Sequence, residues 1–529
     1  MPNEKPNVIF IYADDLGRGM LGCYGQKLMP TPNIDRLCAD GVRFDNAYGC
    51  HICAPARASL LCGIHDCHQG GWAFTAAGIY IDYSKGLITL DEVEELIHNT
   101  GMDKLSGENF LGTVFKKAGY VTGQVGKLDW GFSTTAASVK KHDWDYHYGY
   151  YDHQMCHGFY PPFLHEDGIL TDIPGNTLPD CGIKAFMTDK CVLDKSVPVE
   201  QSRPGMAVYS QDLFDEKMVA FIRKNKDNPF FLYHPSQLPH GQLSIPDIDP
   251  RVAGDDRLTA MQKVFASMVL RLDDTVGVIR TELETLGLLE NTMIIFSADN
   301  GHAPYYAEER TGQPYNHLID GRRIDHLGVR YTTEGYGDIY DGNDGFTGIK
   351  ESNFEGGARV PLIVSWPGHT KNGSSTDKIV ANYDFMATMA DMLGVDSGPD
   401  KDGVSYMGLI SDGYCFNEHD YIVYAGSRGP AIVMRDGWKL RMHKKPNFHQ
   451  GIFGAYWEHI ADGMATELYY LPDDKREENN LAEKYPDKAD ALCKLLMLEC
   501  DGNFINGTTE PHFVYYPFNH RAAAKRAGK

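Results

Sequence analysis

Asn7-Val8-Ile9-Phe10-Ile11-Tyr12-Ala13-Asp14-Asp15 is the stretch on which the reading of the fold turns. Six of its first seven residues, Val8 to Ala13, are apolar or aromatic and rich in β-formers, which predicts a strand. A helix signal follows at TPNIDRLCADG (31–41), with Thr31 as N-cap, Pro32 at the first helical position and Gly41 as terminator. A strand feeding a helix in this way is one unit of an α/β sheet.

The same grammar repeats outward from that unit. YVTGQVG (120–126), PFFLYH (229–234), TMIIFSA (292–298) and PLIVSW (361–366) read as further strands. SQDLFDEKMVAFIRKNK (210–226) and residues 261–286 carry helical periodicity. Beyond residue 396 the pattern changes. AIVMRDGWKLRMHK (431–444) predicts a hairpin turning at Asp436-Gly437, ATELYYLPD (465–473) another strand, and PDKADALCKLLMLECDG (486–502) a late helix. The expected fold is therefore α/β: a large, mostly parallel sheet sandwiched by helices over 1–395, then a small C-terminal α+β subdomain with an antiparallel sheet over 396–529. Residues 64–107 and 303–347 are expected to be long polar connections of the kind that bind or cover ligands.

Composition narrows the function. The 529 residues include 50 basic and 72 acidic side chains, a net charge of −22, which disfavours a nucleic-acid partner because phosphate binding needs a positive field. The apolar fraction of 42% suffices for a core, and no apolar run approaches a membrane span. The opening residues lack the charged and apolar regions of a secretory signal, so a cytoplasmic location is expected, or export with the signal peptide already removed. Twelve cysteines in a chain of this length are not a disulfide scaffold.

In an open parallel sheet, ligands bind beyond the carboxyl ends of the strands. The strand 7–13 runs into Asp14-Asp15, the strand 292–298 into Asp299-Asn300 and the strand 120–126 into Lys127, while His240 follows the strand from 229. Three carboxylates and an amide carbonyl could converge on one hard cation, Ca²⁺ or Mg²⁺ rather than zinc. Either acidic pair alone reads as a cap or turn. Both together, with a lysine and a histidine in like positions, point to a site.

GCHICAPARASLLCG (49–63) adds a second kind of chemistry. Cys53 opens a predicted helix, with Pro55 in its first turn. The helix N-terminus favours an anion there, and Arg57 lies one turn on along the same face. A structural zinc built from Cys50, Cys53, Cys62, Cys67 and neighbouring histidines is a poor match to knuckle spacing. Buried thiols account for Cys50 and Cys62 but not for the proline and arginine after Cys53.

Cys53-Ala54-Pro55-Ala56-Arg57, with Leu60 and Gly63 following, resembles the signature of the type I sulfatases, within the alkaline-phosphatase-like superfamily. PNVIFIYADDLGRGMLGCYG, FFLYHPSQLPH, TMIIFSADNG and GIKESNFEGGARVPLIVSWPG are similar to further family segments in the same order. HDWDYHYGYYDHQMCHGFYPPFL resembles the tyrosine-rich loop of family members acting on carbohydrates. The resemblance implies hydrolysis of a sulfate monoester, with Cys53 converted to formylglycine by a maturing enzyme. It implies a divalent cation, Ca²⁺ with Mg²⁺ as the alternative, held by Asp14, Asp15, Asp299, Asn300 and the modified Cys53. Arg57 and Lys127 would steady the aldehyde hydrate and the sulfate, while His240 and Lys350 would contact the ester and protonate the leaving alcohol. The substrate it implies is a sulfated carbohydrate, or else an aryl sulfate. A phosphate or phosphonate monoesterase and a non-catalytic sulfated-ligand binder are the competing readings. One position departs from the family: many members place a histidine two residues after the lysine, whereas Asp129 stands there in this chain. Asp129, His153 or His157 is left to fill that role.

Overall fold

The computed structural model describes residues 5–68, 73–75, 78–84, 86–99, 110–127, 133–177, 205–241, 243–306, 317–322, 330–411, 413–415, 417–426, 429–444, 464–501 and 512–514. Asn7–Ala13 is a strand with every residue buried. With no polar face to turn to water it belongs in a sheet interior, and it lies near the middle of ten strands. Their order is Ser374–Ala381, Val42–Tyr48, Leu362–Ser365, Thr292–Ala298, Asn7–Ala13, Phe230–Pro235, Val121–Gly126, Tyr146–Gly149, Phe163–Glu166 and Ile169–Asp172. The central pairings are parallel. Leu362–Ser365 runs antiparallel between its two neighbours, as do the last two strands at the far edge.

Side-chain alternation sends successive residues of the central strand to opposite faces. Phe10 meets Phe385 of the helix Asp384–Leu393 at 4.5 Å between ring centroids. Ile11 lies beside His234 in register, and His234 Nε2 is 3.2 Å from Gln211 Nε2 in the helix Ser210–Asn225. Helices therefore cover both faces, as a parallel sheet requires. No helix among the described residues is long and apolar enough to cross a membrane.

Register fixes where the strands stop. Ala13 stands opposite Ala298, and Tyr12 opposite Pro235. The ends are level, so Asp14 and Asp299 leave the sheet side by side.

Two local expectations are corrected. The helix Pro32–Ala39 begins after Thr31, but the Thr31 hydroxyl does not cap it. It accepts from Gly22 N–H (2.9 Å) and donates to Asp35 (3.0 Å). The free N–H groups of Asn33 and Ile34 are taken instead by Asp273, at 3.0 and 2.8 Å, from the long helix Ala260–Thr285. Residues 64–107 are not one long connection, since they include the helices Ile79–Ser84 and Leu90–Asn99.

The second sheet is antiparallel, in the order Tyr421–Tyr424, Ala431–Met434, Trp438–Lys444, Met464–Tyr470. Its central hairpin turns where Asp436-Gly437 predicts, with Gly437 at φ +90°, a conformation that glycine adopts without strain. Leu492 and Leu496 of the helix Pro486–Glu499 join Leu440 and Leu468 in a separate apolar core. Lys439 of this sheet is fully buried between Glu355 Oε1 (3.0 Å) and Glu477 Oε1 (2.8 Å). Removing one charge from a buried network strands its partners without water. Lys439→Met is expected to destabilise the protein by about 3–5 kcal/mol in denaturant unfolding; a loss below about 1 kcal/mol would show that the network has relaxed around the gap.

Candidate active site

The level strand ends deliver four polar side chains to one point. Asp15 has φ +60°, a left-handed bend that aspartate tolerates better than most residues. Its N–H donates to Asp299 Oδ1 at 3.0 Å. Asp14, Asp15 and Asp299 are completely buried, each with a carboxylate oxygen within 4.8 Å of the others. Asn300, also buried, donates from Nδ2 to Asp15 Oδ1 at 2.7 Å.

Three buried anions this close need cations, and three side chains supply them. Lys127, at the end of Val121–Gly126, is hydrogen-bonded to Asp14 Oδ2. Arg57 Nη2 reaches Asp299 Oδ2 at 3.0 Å and Asp14 Oδ1 at 3.8 Å. Lys350 Nζ reaches Asp15 Oδ2 at 2.8 Å. The balance is uneven. Burial raises all three carboxyl pKa values, yet Lys127 and its neighbours hold Asp14 well below the ordinary range, and Lys350 and His240 hold Asp15 below it. Burial and the adjacent Asp14 leave Asp299 well above it.

These residues fit a hard cation. Among the described residues, Asp14 Oδ1 and Asn300 Oδ1 are buried without a hydrogen-bond donor. Unmet carboxylate and amide oxygens within a buried carboxylate cluster are what Ca²⁺ or Mg²⁺ coordinates. Arg57 carries the opposite deficit: its Nε and Nη1 are buried donors without acceptors, although Nη2 is satisfied. A guanidinium with two idle donors suits a polyatomic oxyanion.

Cys53 is the first residue of the wholly buried helix Cys53–Cys62, with Ile52 before it and no side-chain cap. Gly49, just upstream, passes so close to the other strand that an added Cβ would stand 2.2 Å from Asp299 O, and Cys50 N–H donates to that same oxygen at 3.1 Å. This contact brings the helix start against the acidic cluster. One atom each of Asp14, Cys53 and His240 lie within 4.8 Å of one another. Burial pushes the Cys53 thiol up to about 11, although Lys127 and Lys350 pull the other way. As a thiol it is a poor nucleophile near neutrality.

His240 Nε2 stands 3.1 Å from Lys350 Nζ and 3.3 Å from Asp15 Oδ2, while its Nδ1 is bonded to Gly241 O. Burial, then Lys350, lowers it to about 4, so the ring is neutral. All nine sequence-expected residues thus meet in one place. The thiols of Cys50 and Cys62 are buried outside this cluster, and every cysteine among the described residues is a free thiol.

Three residues complete the cluster. His153 Nε2 lies 3.1 Å from Cys53 Sγ. His157 stacks on His240 at 3.8 Å, its Nε2 3.4 Å from Lys127 Nζ. Tyr305, in the loop after Asp299-Asn300, brings its hydroxyl to 2.5 Å from Asp15 Oδ2 and 3.2 Å from His240 Nε2. The sequence offers the two histidines only as alternatives and gives no signal for Tyr305 beyond its nearness to Asp299. Asp129 lies outside the described residues. The buried Asp152, just before His153 in the chain, accepts from the N–H groups of Gly78 and Tyr80, both at 2.9 Å.

Residues 6–395 match the family model described as sulfatase, and residues 349–496 the one described as N-sulphoglucosamine sulphohydrolase, C-terminal. The N-acetylgalactosamine-6-O-sulfatase of Bacteroides thetaiotaomicron is 27% identical over 93% of this chain and 93% of its own length. Arylsulfatase A of Bos taurus is 27% identical over 94% of this chain and 87% of its own. A solved Bacteroides thetaiotaomicron protein, from a locus for the metabolism of multiple glycosaminoglycans, is similar at a TM-score of 0.67. It is 25% identical, over 94% of this chain and 100% of that one.

Proposed function

Because the chain belongs to the sulfatase family, we propose that it hydrolyses a sulfate monoester of a carbohydrate to an alcohol and inorganic sulfate. The observation that carries this reading is Cys53 at a buried helix start beside the carboxylate cluster, one turn before Arg57, whose Nε and Nη1 are buried donors without acceptors. The sugar, rather than aryl, substrate is supported by the relative whose name is N-acetylgalactosamine-6-O-sulfatase and which spans almost the same length.

Asp14, Asp15, Asp299 and Asn300 would hold Ca²⁺, with Mg²⁺ as the alternative, beside residue 53. When present, the cation would offset charge on the sulfuryl oxygens; formylglycine formed from Cys53 would supply, as its hydrate, the hydroxyl that attacks sulfur, and its second hydroxyl would expel the sulfate as the aldehyde re-forms. Arg57 binds the sulfate through Nε and Nη1, and Lys127 adds positive charge from the other side of Asp14. His153 Nε2, beside residue 53, accepts the proton that residue must shed, taking the place of the histidine that Asp129 replaces. His240 and Lys350, 3.1 Å apart, share the proton delivered to the leaving oxygen. His157 and Tyr305 line the approach to them.

Two measurements test this. A desulfation screen should release sulfate from one or more sulfated mono- or oligosaccharides faster than from aryl sulfates, with aryl phosphate and aryl phosphonate turned over more slowly still. Preference for either phosphorus ester would overturn the reading. His153→Ala should lower kcat by about 10²–10⁴-fold with little change in KM, as loss of an acid–base group does. Asp129→Ala should do much less, and the reverse ranking would assign the proton to Asp129.

A further inference from the structure

Two side chains of the catalytic cluster, His157 and Tyr305, keep partial exposure, while the rest of it is buried. A substrate must therefore come in past these two. Both rings pack on His240, His157 at 3.8 Å and nearly parallel, Tyr305 at 5.2 Å and tilted by 45°. Their polar ends point to different places. His157 Nε2 lies 3.4 Å from Lys127 Nζ, on the side that would hold the sulfate. Tyr305 turns its hydroxyl toward the groups that would meet the leaving alcohol. Its position is built into the chain: a Cβ added at Gly241 would stand 2.6 Å from Tyr305 Cγ and Cδ1, so the residue after His240 has to be glycine for the ring to lie there.

Tyr305 Oη stands 3.2 Å from His240 Nε2 and 3.3 Å from Lys350 Nζ, and those two nitrogens are 3.1 Å apart. The three atoms make a nearly equilateral triangle. We propose that Tyr305 is a third catalytic residue of the leaving-group site, its hydroxyl donating a hydrogen bond to the ester oxygen as the S–O bond breaks. This rests on the sulfate-ester reading above, which brings that oxygen within reach of His240 and Lys350. An oxygen seated over two corners of so small a triangle lies beside the third.

The chemistry of the corners gives the hydroxyl its task. His240 Nδ1 is bonded to Gly241 O, and a carbonyl only accepts, so Nδ1 carries the proton of the neutral ring and Nε2 offers a lone pair. Two donors remain, the Lys350 ammonium and the Tyr305 hydroxyl. When the S–O bond breaks, its electron pair stays on the leaving oxygen. The proton that oxygen takes up comes from Lys350 Nζ. Tyr305 keeps its own proton and offsets the developing charge through a charge-assisted O–H···O⁻ bond. Without substrate the hydroxyl donates to Asp15 Oδ2 at 2.5 Å. Turning about its C–O bond redirects the proton while the ring stays in place, and Asp15 Oδ2 still accepts from Lys350 at 2.8 Å.

The test compares leaving groups on the full-length, matured protein. Tyr305→Phe keeps the ring against His240 and Gly241 and removes only the oxygen, so its melting temperature should match the parent's. Its kcat should fall by about 10²-fold on a sulfated monosaccharide, whose alkoxide leaves poorly, and by less than about tenfold on nitrophenyl sulfate, whose anion leaves unaided. Across aryl sulfates of graded phenol acidity, rates of the variant should depend more steeply on that acidity than rates of the parent. A tyrosine that only held Asp15 in place would slow every ester alike and weaken stabilisation by Ca²⁺. A loss on nitrophenyl sulfate as large as on the sugar, or no loss on either, overturns the proposal alone. If the parent releases sulfate from neither ester, the sulfate-ester reading falls first and this assignment with it.

Discussion

Cys53→Ala is expected to lower sulfate release by about 10⁴-fold or more, while the melting temperature stays within a few degrees of the parent. The two halves of this expectation have separate causes. Exchanging a thiol for hydrogen removes little packing volume at the first residue of a helix whose other nine residues remain buried. Turnover, by contrast, loses the side chain that lies beside both His153 and the acidic cluster. The thiol itself, raised to about 11 by burial, would not serve at neutral pH. Active protein should therefore carry the mass change of cysteine to formylglycine on the peptide containing residue 53. Full turnover by the alanine variant, or by protein in which every molecule retains the thiol, would refute the nucleophile assignment.

Asp299→Asn is expected to cost about 10³-fold in turnover and to abolish stabilisation by added Ca²⁺. Asp299 lies beside Asp14 and Arg57 at once, so in the proposed site its charge would serve both as a cation ligand and as the partner of the guanidinium. The substitution also has a signature in cation-free protein. Burial and Asp14 raise the Asp299 pKa in the folded state, so over that range the folded chain binds more protons than the unfolded one. Stability must then fall as pH rises from the ordinary aspartate range toward the raised value. The amide of the variant cannot titrate, so the parent should lose stability over that window relative to it. Ca²⁺, which favours the charged carboxylate, should erase the difference. A variant that still gains stability from Ca²⁺, or that tracks the parent's pH slope without it, would remove Asp299 from the cation site.

Much of the scaffold is legible without coordinates because it is local. The strands Asn7–Ala13 and Thr292–Ala298 are mostly apolar runs followed by polar pairs, and those boundaries survive in the fold unchanged. The start of the Cys53 helix follows from the proline and the good helix formers behind Cys53. The sheet rule then places Asp14, Asp15, Asp299 and Asn300 at one edge without any knowledge of packing.

What the sequence alone determined is the set of elements and the residues at their ends, because strand and helix signals lie within about ten residues and depend on backbone sterics and periodicity. Tertiary structure alone decided what those ends meet. Leu362–Ser365 reads like its parallel neighbours but enters antiparallel, since direction is set by the connections and not by composition. The helix at Pro32 carries its own capping threonine and is capped by Asp273 instead. Two histidines four residues apart are equivalent candidates in the sequence, and the loop's path gives Cys53 to His153 and leaves His157 against His240. His65 and His68 meet Asp402 and Glu499 across more than 300 residues of chain. Each of these contacts depends on packing between distant segments, which no local propensity encodes.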